Sequence, residues 1–199
     1  MGRAGPDRRG IRGADVITLH PADSQLTFRA VLEALSRPGE TFQLPAHKVP
    51  PAVLPTLALA DLGTGVCVLE AGTDWADTVF SATSAPSYTL DKARLVTALR
   101  PVTGEEVASL HRGAAPAPED GALATLAVSD VDGGPAKWWL SGPGIPGETV
   151  LSPSGLPEDF LAARAALVAG FPAGVDFLLV CPDGQITGLP RTTKIEKES

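Results

Sequence analysis

The sequence predicts an α/β fold, a single domain with a mixed sheet and flanking helices. Two patterns carry this expectation. Apolar residues recur at helical spacing in two stretches, near residues 23–36 and 157–170. Between and after them, apolar runs of strand length such as Gly65–Leu69 and Val175–Val180 are bounded by Gly, Pro and Asp. Composition agrees: 44% of the 199 residues are hydrophobic, ample for a buried core, and 21 Gly with 19 Pro point to short elements joined by tight turns.

Taken in order, Asp23 and Ser24 are read as caps of a first helix that buries Phe28, Val31, Leu32 and Leu35, spaced i, i+3, i+4, i+7. Pro38 and Gly39 end it. A Pro-rich linker, Pro45 to Pro55, leads to an apolar helix around Thr56–Asp61, and Gly65–Leu69 reads as a buried strand. Residues 74–90 are ambiguous, since Trp75, Val79 and Phe80 suit a strand and Ser81–Ser87 a loop. Asp91–Leu99 reads as a helix start running into a strand. Thr103-Gly104-Glu105-Glu106 places acidic residues in the first turn of a helix ending near Arg112-Gly113. Residues 114–118 read as a loop.

Leu123–Val128 and Ala136–Leu140 flank the turn-rich Ser129–Pro135, and are expected to pair as a hairpin. Pro157 at the first helical position, Glu158 and Asp159 behind it, and Phe160, Leu161, Leu167 and Val168 on one face predict a helix stopping at Gly170. Val175–Val180 and Gln185–Leu189 form a closing strand pair around Pro182-Asp183-Gly184. The domain is expected to span residues 16–195, with a polar tail at 196–199. Residues 1–15 carry four arginines and four glycines without the following apolar run of a signal peptide, and are read as a disordered leader.

Charge excludes one class of partner. A net charge of −7 and no basic patch argue against nucleic acid, because nothing is present to displace counterions from a phosphate backbone. No segment approaches the ~18 apolar residues needed to span a bilayer. Cys67 and Cys181, far apart and outside any C-x-x-C pair, are expected as buried reduced thiols of a cytoplasmic protein.

Candidate sites are few. Ser141-Gly142-Pro143-Gly144-Ile145 follows a strand, and backbone N–H groups in such a glycine turn can converge on a phosphate oxygen or simply make a turn. Arg191, with Thr192 and Thr193, offers a guanidinium and hydroxyls to a phosphate or carboxylate, or pins the terminus to a neighbouring subunit. Arg37 suits an interface or complements the carbonyl end of the first helix. Trp138 and Trp139, consecutive on a strand, must face opposite sides, so one is buried and the other is offered to a surface or partner. His20, His47 and His111 lack metal-ligand spacing, and no metal site is expected. Nor is a cofactor: Lys48, Lys92, Lys137, Lys194 and Lys197 sit in charged, loop or tail-like contexts without the acidic partner that a pyridinium nitrogen requires. No catalytic residue stands out, which leaves a binding or assembly subunit ahead of two alternatives, a phosphate- or nucleotide-binding protein and a pyridoxal-phosphate-type transferase.

Five stretches, in order across residues 20–195, resemble the PhnH family of the bacterial carbon–phosphorus lyase system. They are Phe28-Arg29 through Ser36-Arg37-Pro38-Gly39; Leu110-x-x-Gly113 with Pro118-Glu119-x-Gly121-Ala122; Ser141–Ile145; Phe171-Pro172-x-Gly174-Val175-Asp176; and Gly188-Leu189-Pro190-Arg191-Thr192-Thr193. The chain departs from the family at Ala82–Pro86 and matches loosely over residues 45–80. The resemblance implies a fold similar to pyridoxal-phosphate-dependent transferases without the cofactor site, and a homodimer assembled with PhnG, PhnI and PhnJ subunits. It further implies a role in replacing the adenine of ATP by a phosphonate, giving ribose 1-phosphonate 5-triphosphate, with the nucleosidase chemistry on PhnI and the radical cleavage of the C–P bond on an iron–sulfur subunit.

Overall fold

The computed structural model describes residues 17–198, so the expected leader lies outside the described residues. The helices are α1 (Pro21–Ser36), α2 (Leu54–Leu59), α3 (Trp75–Thr83), α4 (Gly104–Ala108) and α5 (Phe160–Val168). The strands are β1 (Phe42–Gln43), β2 (Val66–Leu69), β3 (Leu95–Ala98), β4 (Leu123–Ala127), β5 (Trp138–Ser141), β6 (Glu148–Leu151), β7 (Asp176–Val180), β8 (Gln185–Leu189) and β9 (Lys194–Lys197). Six strands form a mixed sheet in the order β1-β8-β7-β4-β3-β2, and β6-β5-β9 form a small antiparallel sheet. In the large sheet β2, β3, β4 and β7 run parallel, β8 returns antiparallel to β7, and β1 is antiparallel to β8. The α/β class and the β7–β8 hairpin are as the sequence predicts.

The strand pleat divides the core in two. Phe177 and Leu179 of β7 point to one face, where α4, α5 and the small sheet supply Val107, Phe160, Leu167, Trp138 and Leu140. Leu178 and Val180 point to the other, which α1, α2 and α3 cover with Ala30, Ala34, Leu54 and Val79. Both faces are therefore buried, the usual condition of parallel strands.

Several expectations are corrected. The strands around Ser129–Pro135 do not pair: β4 sits between β3 and β7 in the large sheet, whereas β5 is the centre of the small one. The turn residues between them instead tie back to a distant loop, with Ser154 N–H donating to the Asp130 carbonyl at 2.9 Å. The expected polar tail at 196–199 is entered by β9, Lys194–Lys197, whose Ile195 lies opposite Leu140. The ambiguous stretch 74–90 opens with α3, because the Glu70 carboxylate reaches back to accept the N–H groups of Trp75 (2.9 Å) and Ala76 (3.3 Å). Helix α4 stops at Ala108, short of Arg112.

Helix α1 begins at Pro21, one residue after His20, whose Nδ1 accepts from the Ala22 N–H; Asp23 and Ser24 lie inside the helix. Its buried face is Thr27, Ala30, Val31 and Ala34, while Phe28 and Leu32 are 51% and 55% exposed. The cause is on the facing strand. Gly188 of β8 presents bare backbone to the Ala34 carbonyl, and a Cβ there would collide with it. The helix thus seats its small residues on the sheet and turns its large ones outward.

Candidate functional site

Three of the five family-like stretches converge on one guanidinium. Arg191 follows β8, opposite the start of β7, and meets Asp176 there: its Nη2 donates to Oδ2 at 2.7 Å, its Nε to both carboxylate oxygens at 3.2 Å, and its backbone N–H to Oδ1 at 2.7 Å. Its Nη1 donates to the carbonyls of Pro118 (2.7 Å) and Pro172 (3.3 Å). The rigid fork therefore makes five side-chain hydrogen bonds that tie together Asp176, Pro118 and Pro172, a task no lysine performs.

Glycines let those pieces close around it. Gly121 faces the Gly174 carbonyl and Gly174 faces the Arg191 side chain, with no room for a Cβ on Gly121. Two backbone bonds complete the knot, Gly174 N–H to the Arg112 carbonyl (2.8 Å) and Ala122 N–H to the His111 carbonyl (2.7 Å).

A second junction adjoins the first. Gly144 lies against the Ser36 carbonyl at the end of α1 with φ +84, and Gly142 lies against the Thr192 carbonyl. The Ser141–Ile145 loop is thus wedged between the Ser36–Gly39 turn and the residue after Arg191. A Cβ on either glycine would meet the chain itself, so the loop makes at least the tight turn that was one of its two expected readings. Arg191 is likewise committed to internal acceptors. Thr192 is exposed, and the Thr193 hydroxyl is buried with no partner among the described residues.

Beneath this region lies a residue that sequence reasoning missed. Arg164 of α5 is only 4% exposed, and its Nη2 donates to the carbonyls of Pro190 (2.6 Å) and Thr193 (3.0 Å). Burial lowers its pKa to about 10, against the opposing pull of Asp176. Its position in an apolar helix, Leu161 to Val168, marks it as unusual in sequence but does not reveal its acceptors. Asp176 was nearer to hand, since the β7–β8 register sets it across from the residues leading into Arg191.

The remaining expected residues are placed as follows. Arg37 bonds Glu33 at 2.5 Å and Glu40 at 3.3 Å, with its guanidinium 4.8 Å over the Phe42 ring. Trp138 is buried and stacked on Phe160, centroids 5.8 Å apart, while Trp139 is 42% exposed, so the two rings do face opposite ways. Phe171, inside one of the family stretches, stands 67% exposed beside the carbonyl that Arg191 holds. Cys67 and Cys181 are buried free thiols. Burial, then the Asp183 carboxylate that accepts its S–H, push Cys181 up to about 11, which keeps it protonated and poorly nucleophilic. Among the described residues no group of His, Cys, Asp and Glu could hold a metal ion, and no helix is long and apolar enough to cross a membrane.

Fold and junction together define an α/β protein in which Arg191 is spent on tying its own loops to the start of β7. A protein-family model described as bacterial phosphonate metabolism protein (PhnH) matches residues 17–196, and the chain belongs to this family. It is 29% identical over 193 residues to the alpha-D-ribose 1-methylphosphonate 5-triphosphate synthase subunit PhnH of Rhizobium meliloti (strain 1021), covering 88% of this chain and 92% of the relative. It is 33% identical over 180 residues to the putative C-P lyase subunit protein HtxG of Stutzerimonas stutzeri, covering 86% of this chain and 85% of the relative.

Proposed function

We propose that this chain is a non-catalytic subunit of a carbon–phosphorus lyase complex. In this reading it is required for forming ribose 1-phosphonate 5-triphosphate from ATP and an alkylphosphonate, and it works in the cytoplasm as a homodimer joined to PhnG, PhnI and PhnJ subunits. One observation carries the reading. Arg191, the side chain best suited to bind an anion, is turned inward on the chain's own carbonyls and carboxylate, and Gly142 and Gly144 pack against the carbonyls of Thr192 and Ser36. What the protein offers outward is contact surface: Leu26, Phe28 and Leu32 on α1, Trp139 on β5, and Phe171. Exposed aromatic rings on a rigid frame are the usual anchors of protein interfaces. The names of both relatives, each a subunit of such a system, support the same assignment.

The fold is proposed to be similar to that of pyridoxal-phosphate-dependent transferases with the cofactor function lost. The residues present do not fit that cofactor. The crevice at the carboxyl ends of the parallel strands is lined without a lysine, and the nearby α3 N-terminus, where a phosphate would sit, is filled by Glu70. Co-expression with the three presumed partners tests the assignment. Recovery of a stable complex is expected, together with product formation that requires this chain; a chain that remains apart from all three partners contradicts it.

A further inference from the structure

An apolar recess at the carboxyl ends of the parallel strands lies apart from the Arg191 knot. Strands β2 and β3 are parallel neighbours, yet the helices that follow them leave on opposite sides: α3 buries Val79 against one face of the sheet and α4 buries Val107 against the other. Divergent connections of this kind open a crevice beyond the carboxyl ends of the strands, which is where open α/β sheets hold their ligands. Here the crevice has a volume of about 330 Å³ and runs from Ala71 and Trp75 past Leu99 to Ala127 and Val180, with Pro50 and Pro51 closing one side.

Its chemistry is restrictive. Among the described residues no charged side chain lines it. The Glu70 carboxylate beside it already accepts the N–H groups of Trp75 and Ala76 and the Thr73 hydroxyl, so an incoming phosphate meets a negative charge where a helix N-terminus would otherwise attract it. The Cys181 thiol at the far rim is directed to Asp183. What remains for a ligand is the indole of Trp75, the proline rings and aliphatic walls. We propose that this crevice binds a neutral, planar aromatic molecule of one or two rings, held by stacking and apolar contact. The volume lies at the small end of the range for ligand pockets, which sets the upper size.

The test uses the full chain alone, so its outcome is independent of whether the subunit assignment holds. Benzimidazole and adenine serve as neutral probes, with AMP as the charged comparison. Calorimetry and amide chemical shifts are expected to show saturable binding of a neutral probe with a dissociation constant on the order of 0.1–1 mM, and shifts confined to residues 52, 71–75, 99, 127–128 and 180–181. Ala71→Leu, on the exposed rim, and Trp75→Ala should each weaken it by roughly tenfold or more. Trp75→Phe, which keeps a ring, should retain most of it and controls for folding. No saturable binding of either neutral probe, shifts elsewhere, affinity unchanged in Ala71→Leu and Trp75→Ala, or tighter binding of AMP than of adenine each overturns the assignment.

Discussion

Arg191 and Asp176 clasp each other at the mouth of the β7–β8 hairpin, with Nη2 to Oδ2 at 2.7 Å and side chains only 14% and 25% exposed. The pair is half-sequestered, and the same guanidinium also binds two loop carbonyls, so the effect of losing it exceeds that of a surface ion pair. Arg191→Lys keeps the charge but can satisfy only part of this set. A loss of about 2–3 kcal/mol is expected, seen as a fall in melting temperature of roughly 5–10 °C. Asp176→Asn should fall comparably, and a change in Arg191→Lys below ~0.5 kcal/mol would show that the knot is incidental.

Three glycines separate close approach from backbone strain. Gly188 has no room for a Cβ beside the Ala34 carbonyl, and its φ is outside the left-handed region. Gly147 has open space but φ +79, and Gly144 has both constraints, with φ +84 and the Ser36 carbonyl in the way. Alanine at 147 should cost about 1 kcal/mol, from left-handed backbone alone. At 188 it should cost about 2–4 kcal/mol, since α1 must lift from β8, and at 144 at least as much. Chemical denaturation of the three variants checks this order.

The capping box of α4 predicts a pH dependence. Thr103 Oγ1 accepts the Glu106 N–H at 3.2 Å, and the Glu106 carboxylate accepts the Thr103 N–H at 3.0 Å and the Arg100 guanidinium at 2.6 Å. The Arg100 bond first, and the Thr103 N–H second, lower the Glu106 carboxyl from 4.5 to about 2. Because the folded value is depressed, the stability it contributes is complete above about pH 4.5 and is lost as the solution approaches pH 2. Glu106→Gln should be less stable by about 1–2 kcal/mol near neutrality, the gap closing towards pH 2. A constant gap across that range would contradict the assignment of the charge.

The tandem tryptophans should divide cleanly. Trp138 stacks on Phe160, which meets Phe177 edge-on with centroids 5.3 Å apart, so Trp138→Ala is expected to cost about 3–5 kcal/mol. Trp139→Ser and Phe171→Ser should leave stability within ~0.5 kcal/mol and weaken association with partners instead. Thermal unfolding and size-exclusion chromatography of the co-expressed complex distinguish the two effects.

Much of the fold was legible because its signals are local. Pro157 and the acidic residues after it announce α5, although the helix opens at Phe160 with Asp159 as its cap and not at Pro157, and Pro182-Asp183-Gly184 fixes the β7–β8 hairpin. Adjacent position alone was enough to send Trp138 and Trp139 to opposite faces. The failures share a cause of the opposite kind. The buried face of α1 was misread because Gly188, more than 150 residues away, decides which side of the helix can approach the sheet. The strand β9 was hidden because a Lys-Ile-Glu-Lys edge strand half-buries only Ile195 and looks like tail. For the site, the motif residues were visible, but their partners were not: Arg191 looks like a ligand-binding arginine until Asp176 and the carbonyls of Pro118 and Pro172 are seen around it.

The decisive measurement is conversion of ATP and an alkylphosphonate to ribose 1-phosphonate 5-triphosphate by purified components. The partner subunits with this chain should form product, while the partners without it, and the chain by itself, should form none. Product from the isolated polypeptide, or undiminished product when it is left out, would contradict a structural subunit that the reaction requires.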